Sequence, residues 1–509
     1  ISVCQRAAKD RPEINCPIVG QDCILPRQVE NLPHDTYSQA GPKTTNSSAR
    51  QIVLLIAAVV SATCLTGADW LQFRGNDVSG VSELSEIPTT WSDTENVAWK
   101  VDLPGRGASG AIVIGDQVVV TASSGFRQDR LHVLSFDRAS GQKNWERQFW
   151  ATGRTMTHPK MCVATPTPAS DGERIFAFYS SNDVVCLDLD GNLQWLRGLT
   201  HDFPNASNSL GMSSSPIVIG DTLIVQVEND AESFATGLDT TTGKARWKKV
   251  RPKKANWTSP TLWQNGDSEA LALLQSSAGI EAVDPRTGET QWKFGDGAST
   301  IPSSVVTPDS LLIPSNGLTA VRLGEKVDDA EGSPEVLWND SKLGPGTSSP
   351  IVVNGKVFVV NRAGVLQAAD VNTGSLLWRL RLKGPFSATP VAAGNHLILF
   401  NEEGGAQVVD ISGAEGEIVG ENTVGETILS TPAISDNEMF VRSDGISGRS
   451  RSSGKSLNRR EPLRINAVIA ESLQRLRRSN GKKKNAETSP ASAFFTSVYS
   501  AIFSELPAC

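Results

Sequence analysis

Asp370-Val371-Asn372-Thr373-Gly374, followed four residues later by Trp378, is one of five versions of a phrase that this chain repeats. The others are Asp137 to Gly141 with Trp145, Asp239 to Gly243 with Trp247, Asp284 to Gly288 with Trp292, and a shortened Asp188 to Gly191 with Trp195. Each residue type has a physical task. The Asp carboxylate accepts hydrogen bonds from amides two or three residues ahead. Gly tolerates the positive φ that closes a tight turn. Trp buries a large ring between neighbouring elements while its indole N–H seeks an acceptor. The repeated aspartates therefore read as architecture rather than catalysis.

The tryptophans set a period. Trp99, Trp145, Trp195, Trp247, Trp292, Trp338 and Trp378 lie about 40 to 52 residues apart, which suits a four-stranded propeller blade. Units open with Ser/Thr-Pro and an apolar run, as in Ser215-Pro216-Ile217-Val218-Ile219 and Ser349-Pro350-Ile351-Val352-Val353. Asn354-Gly355 between two β-branched runs is a hairpin signal. No window from Trp99 to Val441 holds helical periodicity. The expected fold is all-β: an eight-bladed propeller of four-stranded antiparallel blades, with seven blades as the alternative. Seven units begin near Gly110, Thr165, Ser215, Ser259, Ile301, Ser349 and Thr389. The eighth begins at Thr431-Pro432 and lacks its closing strand, so the N-terminal strand around Trp99 is expected to complete it and close the ring.

The Ser/Thr-Pro openings and Asp-x-x-Thr-Gly-x-x-x-Trp endings resemble the pyrroloquinoline-quinone (PQQ) repeat, over roughly residues 69 to 445. Trp70-Leu71-Gln72-Phe73-Arg74-Gly75 resembles a lead-in of bacterial PQQ-like repeat proteins. The resemblance implies blade-docking roles for Trp99, Trp145, Trp195, Trp247, Trp292 and Trp378 and for the turn residues Asp137, Gly141, Asp239, Gly243, Asp284, Gly288, Asp370 and Gly374. It also raises the chemistry of PQQ-dependent dehydrogenases, in which a quinone sits over a tryptophan floor beside Ca²⁺. The adjacent cysteine pair of many alcohol-oxidising members is missing here, as is a Cys-x-x-Cys-His haem site. Zinc-helix, Walker-loop and nucleophile-elbow motifs are missing too. One fold hosts many activities.

The ends have a different character. Residues 1–49 read as a doubtful upstream leader, with Cys4, Cys16 and Cys23 carrying no site. Residues 50–68 read as a signal peptide: Arg50, the apolar Ile52 to Ala62, then Thr66-Gly67-Ala68 at the cleavage position. Residues 446–509 form a basic, low-complexity tail with twelve Lys/Arg against four Asp/Glu, read as disordered or as the product of a shifted reading frame. The whole chain carries a formal charge of −7. The region between the ends is therefore strongly acidic, which argues against nucleic-acid binding by the propeller. Cys162 and Cys186 are its two cysteines and could pair after export.

Met156, His158, Met161 and Cys162 gather soft donors in one loop and form a weak copper candidate. The loops that precede the Ser/Thr-Pro motifs should line one mouth of the channel and present Arg106, His158, Lys160, Asn208, Trp257, Thr300 and Phe386. Loops on a rigid scaffold carry function, and Trp257 or Phe386 could anchor a peptide or sugar. The expectation is a non-catalytic envelope scaffold, periplasmic or secreted. It would be monomeric, bind a protein or polysaccharide, need no cofactor and have no membrane span after cleavage. The alternative is a PQQ-dependent oxidoreductase holding PQQ and Ca²⁺.

Overall fold

The computed structural model describes residues 68–83, 85–92, 95–206, 210–264, 270–323 and 332–444, and the backbone of the strand Leu463–Ile469. Among these residues the chain is all-β apart from one short helix, Leu199–Asp202. Eight sheets form, seven of four strands and one of five. Within the third sheet, Ile217–Ile219, Thr222–Val227, Phe234–Asp239 and Ala245–Val250 follow one another antiparallel. Five further sheets repeat this order, and the five-stranded one adds Val81–Ser82 parallel to Val391–Ala393.

The eighth sheet is assembled from distant segments. Ala433–Ser435 and Glu438–Arg442 are followed by Leu463–Ile469, which pairs on its other edge with Trp99–Leu103. Its third strand thus comes from the basic tail, which the sequence reading had left outside the ring. The rest of that tail, residues 1–67 and Asn208 lie outside the described residues.

Burial follows strand position. Inner strands are buried along their length, as in Ile112–Ile114. Outer strands are largely exposed except at Trp: Leu376–Arg381 buries only Trp378, and Ala245–Val250 only Trp247. The residue just before the Trp is bulged in both. In the third sheet Gly237 faces Trp247 and Leu238 faces Ala245, which leaves Arg246 unpaired in the ladder. Register shifts of this kind recur in the first, second, fourth, fifth, sixth and seventh sheets. A bulge bends the strand and re-aims its side chains.

Each indole rests on the next sheet. The Nε1 of Trp99 donates to Arg138 O at 2.9 Å, Trp145 to Leu189 O at 2.9 Å, Trp195 to Thr240 O at 2.9 Å, Trp247 to Pro285 O at 2.8 Å and Trp338 to Val371 O at 3.0 Å. The turn glycine beneath explains the phrase. A Cβ on Gly141, whose φ is +70°, would lie 2.5 Å from the Trp99 ring. Asp239 Oδ1 accepts the amide and hydroxyl of Thr242, both at 2.8 Å, which holds the turn that presents Gly243 to Trp195.

The Ser/Thr-Pro motifs build a second, inner connection. Backbone N–H groups donate from one sheet to the motif hydroxyl of the next: Gly110 to Thr167, Thr167 to Ser215, Ser215 to Ser259, Ser259 to Ser303, Ser303 to Ser349, Ser349 to Thr389 and Thr389 to Thr431. The belt residues of the second and fifth units are Thr167 and Ser303, two positions beyond the openings read from the sequence.

The lead-in crosses one end of the channel. Trp70 forms a bridge to Val113 in the first sheet. Leu71 O accepts from Ser170 N in the second, and Gln72 Oε1 from Val218 N in the third. Arg74, buried, donates to Ser304 O at 3.0 Å and Pro350 O at 3.1 Å, in the fifth and sixth. Ala68 N and Glu86 N reach Asp436 and Asn437 in the eighth. Residues 68–86 therefore strap the inner strands together.

Candidate functional site

At the axis lies a cavity of about 460 Å³. Its wall is the hydroxyl belt, with Ser or Thr from seven sheets, and Phe73 of the strap also lines it. His158, Lys160, Met161, Leu210, Trp257 and Ile301 line it from the connecting loops. Apolar surface with a few placed polar groups is the composition of a small-molecule site.

The loop carrying His158 and Lys160 is locally fixed. His158 N donates to Leu210 O, and Met161 N to His158 O, both at 2.8 Å. Lys160 N donates to His158 Nδ1 at 3.2 Å, which assigns the proton of the neutral ring to Nε2. Arg106 Nη2 donates to Pro159 O at 3.2 Å and to Asp444 Oδ2 at 2.6 Å. The Lys160 ammonium pairs with Glu402, which also accepts from Ser387 Oγ at 2.7 Å. Trp257 is half-buried and held at both ends: its N donates to Thr300 O at 2.8 Å and its Nε1 to Gly211 O at 3.0 Å.

Of the residues expected at this mouth, the structure brings His158, Lys160 and Trp257 to the cavity lining. Arg106 stands behind the loop rather than on the wall. Phe386 is not an exposed anchor: it is buried between the sixth and seventh sheets with Leu366, Leu382 and Leu399, because its loop folds inward. From the sequence, Met161 was read only as a metal candidate and Phe73 only as part of the lead-in, and Glu402 was not singled out.

The copper candidates occupy different environments. Cys162 is fully buried between the first two sheets and Met156 is mostly exposed, whereas His158 and Met161 reach the cavity. Cys162 and Cys186 are free rather than paired. Burial pushes the Cys162 thiol up, and that of Cys186 up to about 12, so neither offers a thiolate near neutral pH. His132 is also buried, between Ser124 Oγ at 2.7 Å and Glu146 Oε1 at 2.9 Å, and burial lowers its pKa. Beside the cavity, burial lowers the Arg442 guanidinium to about 10 while it donates to Ser109 Oγ at 2.5 Å.

Sheet order, bulged tryptophan strands and an axial cavity define a propeller of the PQQ-repeat class. The profile of the family described as outer membrane protein assembly factor BamB matches residues 89–294 and 276–405, and the chain belongs to that PQQ-like repeat family. It is similar to the polyvinylalcohol dehydrogenase of Sphingopyxis sp. (strain 113P3), at 24% identity over 236 residues. That match covers 38% of this chain and 34% of the dehydrogenase, so the chain spans about a third of that relative's length. Among solved structures, the quinohemoprotein alcohol dehydrogenase of Comamonas testosteroni superposes with a TM-score of 0.59 at 14% identity, over 81% of this chain and 82% of that one. A europium-containing methanol dehydrogenase gives 0.57 at 14%, over 76% and 91%. BamB of Moraxella catarrhalis gives 0.51 at 16%, over 74% and 98%.

These relatives correct the expectation that no cofactor is needed: three are dehydrogenases, one a quinohemoprotein and one europium-containing by name. The residues present answer the two parts of such a site differently. A flat organic acid fits, because Trp257 and Phe73 offer rings and Lys160 offers charge. A hard cation does not. Ca²⁺ takes six to eight oxygen ligands with carboxylates among them. The cavity wall carries no Asp or Glu, and the described residues contain no group of three His, Cys, Asp or Glu able to hold a metal. Among the described residues, no helix is long and apolar enough to cross a membrane.

Proposed function

We propose that the chain is an oxidoreductase of the quinoprotein type, with a planar quinone acid in the axial cavity. The reading takes the eight sheets as eight blades in a ring whose last blade is completed by Trp99–Leu103. The observation that carries it is that Trp257, Lys160, His158 and Phe73 all line the same axial cavity of about 460 Å³. The aromatic rings present flat faces. The Lys160 ammonium pairs with a carboxylate. His158, with Nδ1 accepting a backbone N–H, carries its proton on Nε2 and can donate a hydrogen bond there to an oxygen of the bound acid. A bound quinone supplies the two-electron acceptor. The signal-peptide pattern read at residues 50–68 and the BamB-like family match support a place in the cell envelope. The test is titration of purified protein with PQQ, following tryptophan fluorescence and then dye reduction by small alcohols and polyvinyl alcohol. Saturable quenching with alcohol-dependent dye reduction is expected. Quenching absent at millimolar PQQ, with or without Ca²⁺, overturns the reading.

A second reading, a monomeric envelope scaffold for a protein partner, has its own observation. Phe126 is 98% exposed at a hairpin tip of the first sheet, and Trp150 is 64% exposed beneath the Arg130 guanidinium, 4.6 Å from its ring. Aromatic and Arg side chains are typical protein-binding anchors. Crosslinking from position 126 in envelope extract tests it; a Phe126→Ala variant that captures the same partners removes it.

A further inference from the structure

Lys160 and Glu402 stand 242 residues apart, yet their side chains meet beside the axial cavity. The ammonium contacts both carboxylate oxygens, at 2.9 Å and 2.7 Å. Glu402 follows the strand His396–Phe400 of the seventh sheet, and its N–H is fixed to Pro385 O at 2.9 Å. Lys160 projects from the loop between the first two sheets, whose backbone is held on His158 and Leu210. The pair therefore ties the loop before the second sheet to the seventh sheet with two flexible side chains on two fixed backbones.

We propose that Glu402 is a built-in stand-in for the ligand's carboxylate, holding the Lys160 ammonium until an organic acid takes its place. Three observations support this. First, the wall is otherwise hydroxyl, aromatic or aliphatic apart from His158, so an entering anion finds its charge partner at Lys160 among the described residues. Second, the pair is easily exchanged. The Lys160 side chain is 60% exposed against 15% for Glu402, so water reaches the ammonium and weakens its hold on the carboxylate. Third, Glu402 has somewhere to go: Ser387 Oγ already donates to it at 2.7 Å, so losing Lys160 does not leave the carboxylate bare. A ligand that adds ring stacking on Trp257 to one carboxylate contact outcompetes the internal one. The ligand class is then a flat aromatic or quinonoid acid, and the seat requires no metal.

This inference rests on the proposed function, and the experiment separates the two. Dissociation constants for PQQ are measured by fluorescence quenching in EDTA for the wild type, Lys160→Gln, Glu402→Gln and the double variant, with the uncharged PQQ trimethyl ester as control. Removing the competitor in Glu402→Gln should tighten PQQ binding by about threefold, the scale of an exposed ion pair. Lys160→Gln should weaken it by about tenfold, and Lys160→Arg should restore most of it. The double variant should follow Lys160→Gln. Both effects should shrink in 0.5 M NaCl, and the ester should respond to neither change. Weakening in Glu402→Gln to match Lys160→Gln, or identical constants in all variants, overturns the stand-in and leaves the quinone reading intact. A wild type that binds PQQ only when Ca²⁺ is added overturns the metal-free seat. A wild type that binds under neither condition removes the proposed function as well.

Discussion

The two ends of the channel are built on opposite principles. At one end the strap of residues 68–86 ties inner strands together and buries Arg74 completely among backbone carbonyls. The turns at that end join the same construction: Asp69 Oδ1 accepts Gly115 N at 2.7 Å, and Arg138 N donates to Asp116 O at 2.9 Å. At the other end, loops carry part-exposed His158, Lys160 and Trp257, and the rim is joined by an exchangeable ion pair. Stability is concentrated where groups are buried and bonded to several strands at once. Recognition belongs where side chains keep a choice of partner.

That contrast can be broken hardest at Arg74. Arg74→Ala leaves two buried carbonyls without donors and opens a void, at a cost of about 3–4 kcal/mol. Chemical denaturation checks this, and a loss below 1 kcal/mol would place the anchor elsewhere. Gly141→Ala comes next. Its φ of +70° and the Trp99 ring 2.5 Å from the new Cβ leave the methyl no room. The loss should be about 2–3 kcal/mol, with Trp99 fluorescence shifted to the red. Acid sharpens the contrast most gently. Arg246 and then Thr242 hold the Asp239 carboxyl down at about 2, below its ordinary 3.8, and Ser140 lowers Asp137 in the same way. A carboxyl lowered by folding stabilises above its unfolded pKa and loses that contribution as pH falls through the folded value. Melting temperature should therefore drop between pH 4 and pH 2, and Asp239→Asn should flatten part of that drop.

What the sequence made legible was local or periodic. The Asp–Gly–Trp phrase and the Asn-Gly hairpins lie within single sheets, so their spacing revealed all-β, four-stranded units. The strap was not legible, because Gln72 meets Val218 and Arg74 meets Pro350 far along the chain, with no periodicity to announce it. The Ser/Thr-Pro openings were visible, but their hydroxyls acquire a purpose only when a neighbouring sheet supplies the N–H. His158, Lys160 and Trp257 could be found as loop residues preceding those openings. Glu402 could not: an acid in a polar turn looks solvated until Lys160 arrives from 242 residues away. Phe386 misled because an aromatic in a loop gives no sign of whether the loop folds inward.

The strap has a further consequence for how the molecule is made. It lies N-terminal to Trp99 and to the inner strands it fastens, yet its docking surface exists only once Val113, Val218, Pro350 and Asp436 have been set around it. A segment made before the sheets is thus a keystone fitted after them. Contacts that close over such long stretches of chain slow folding.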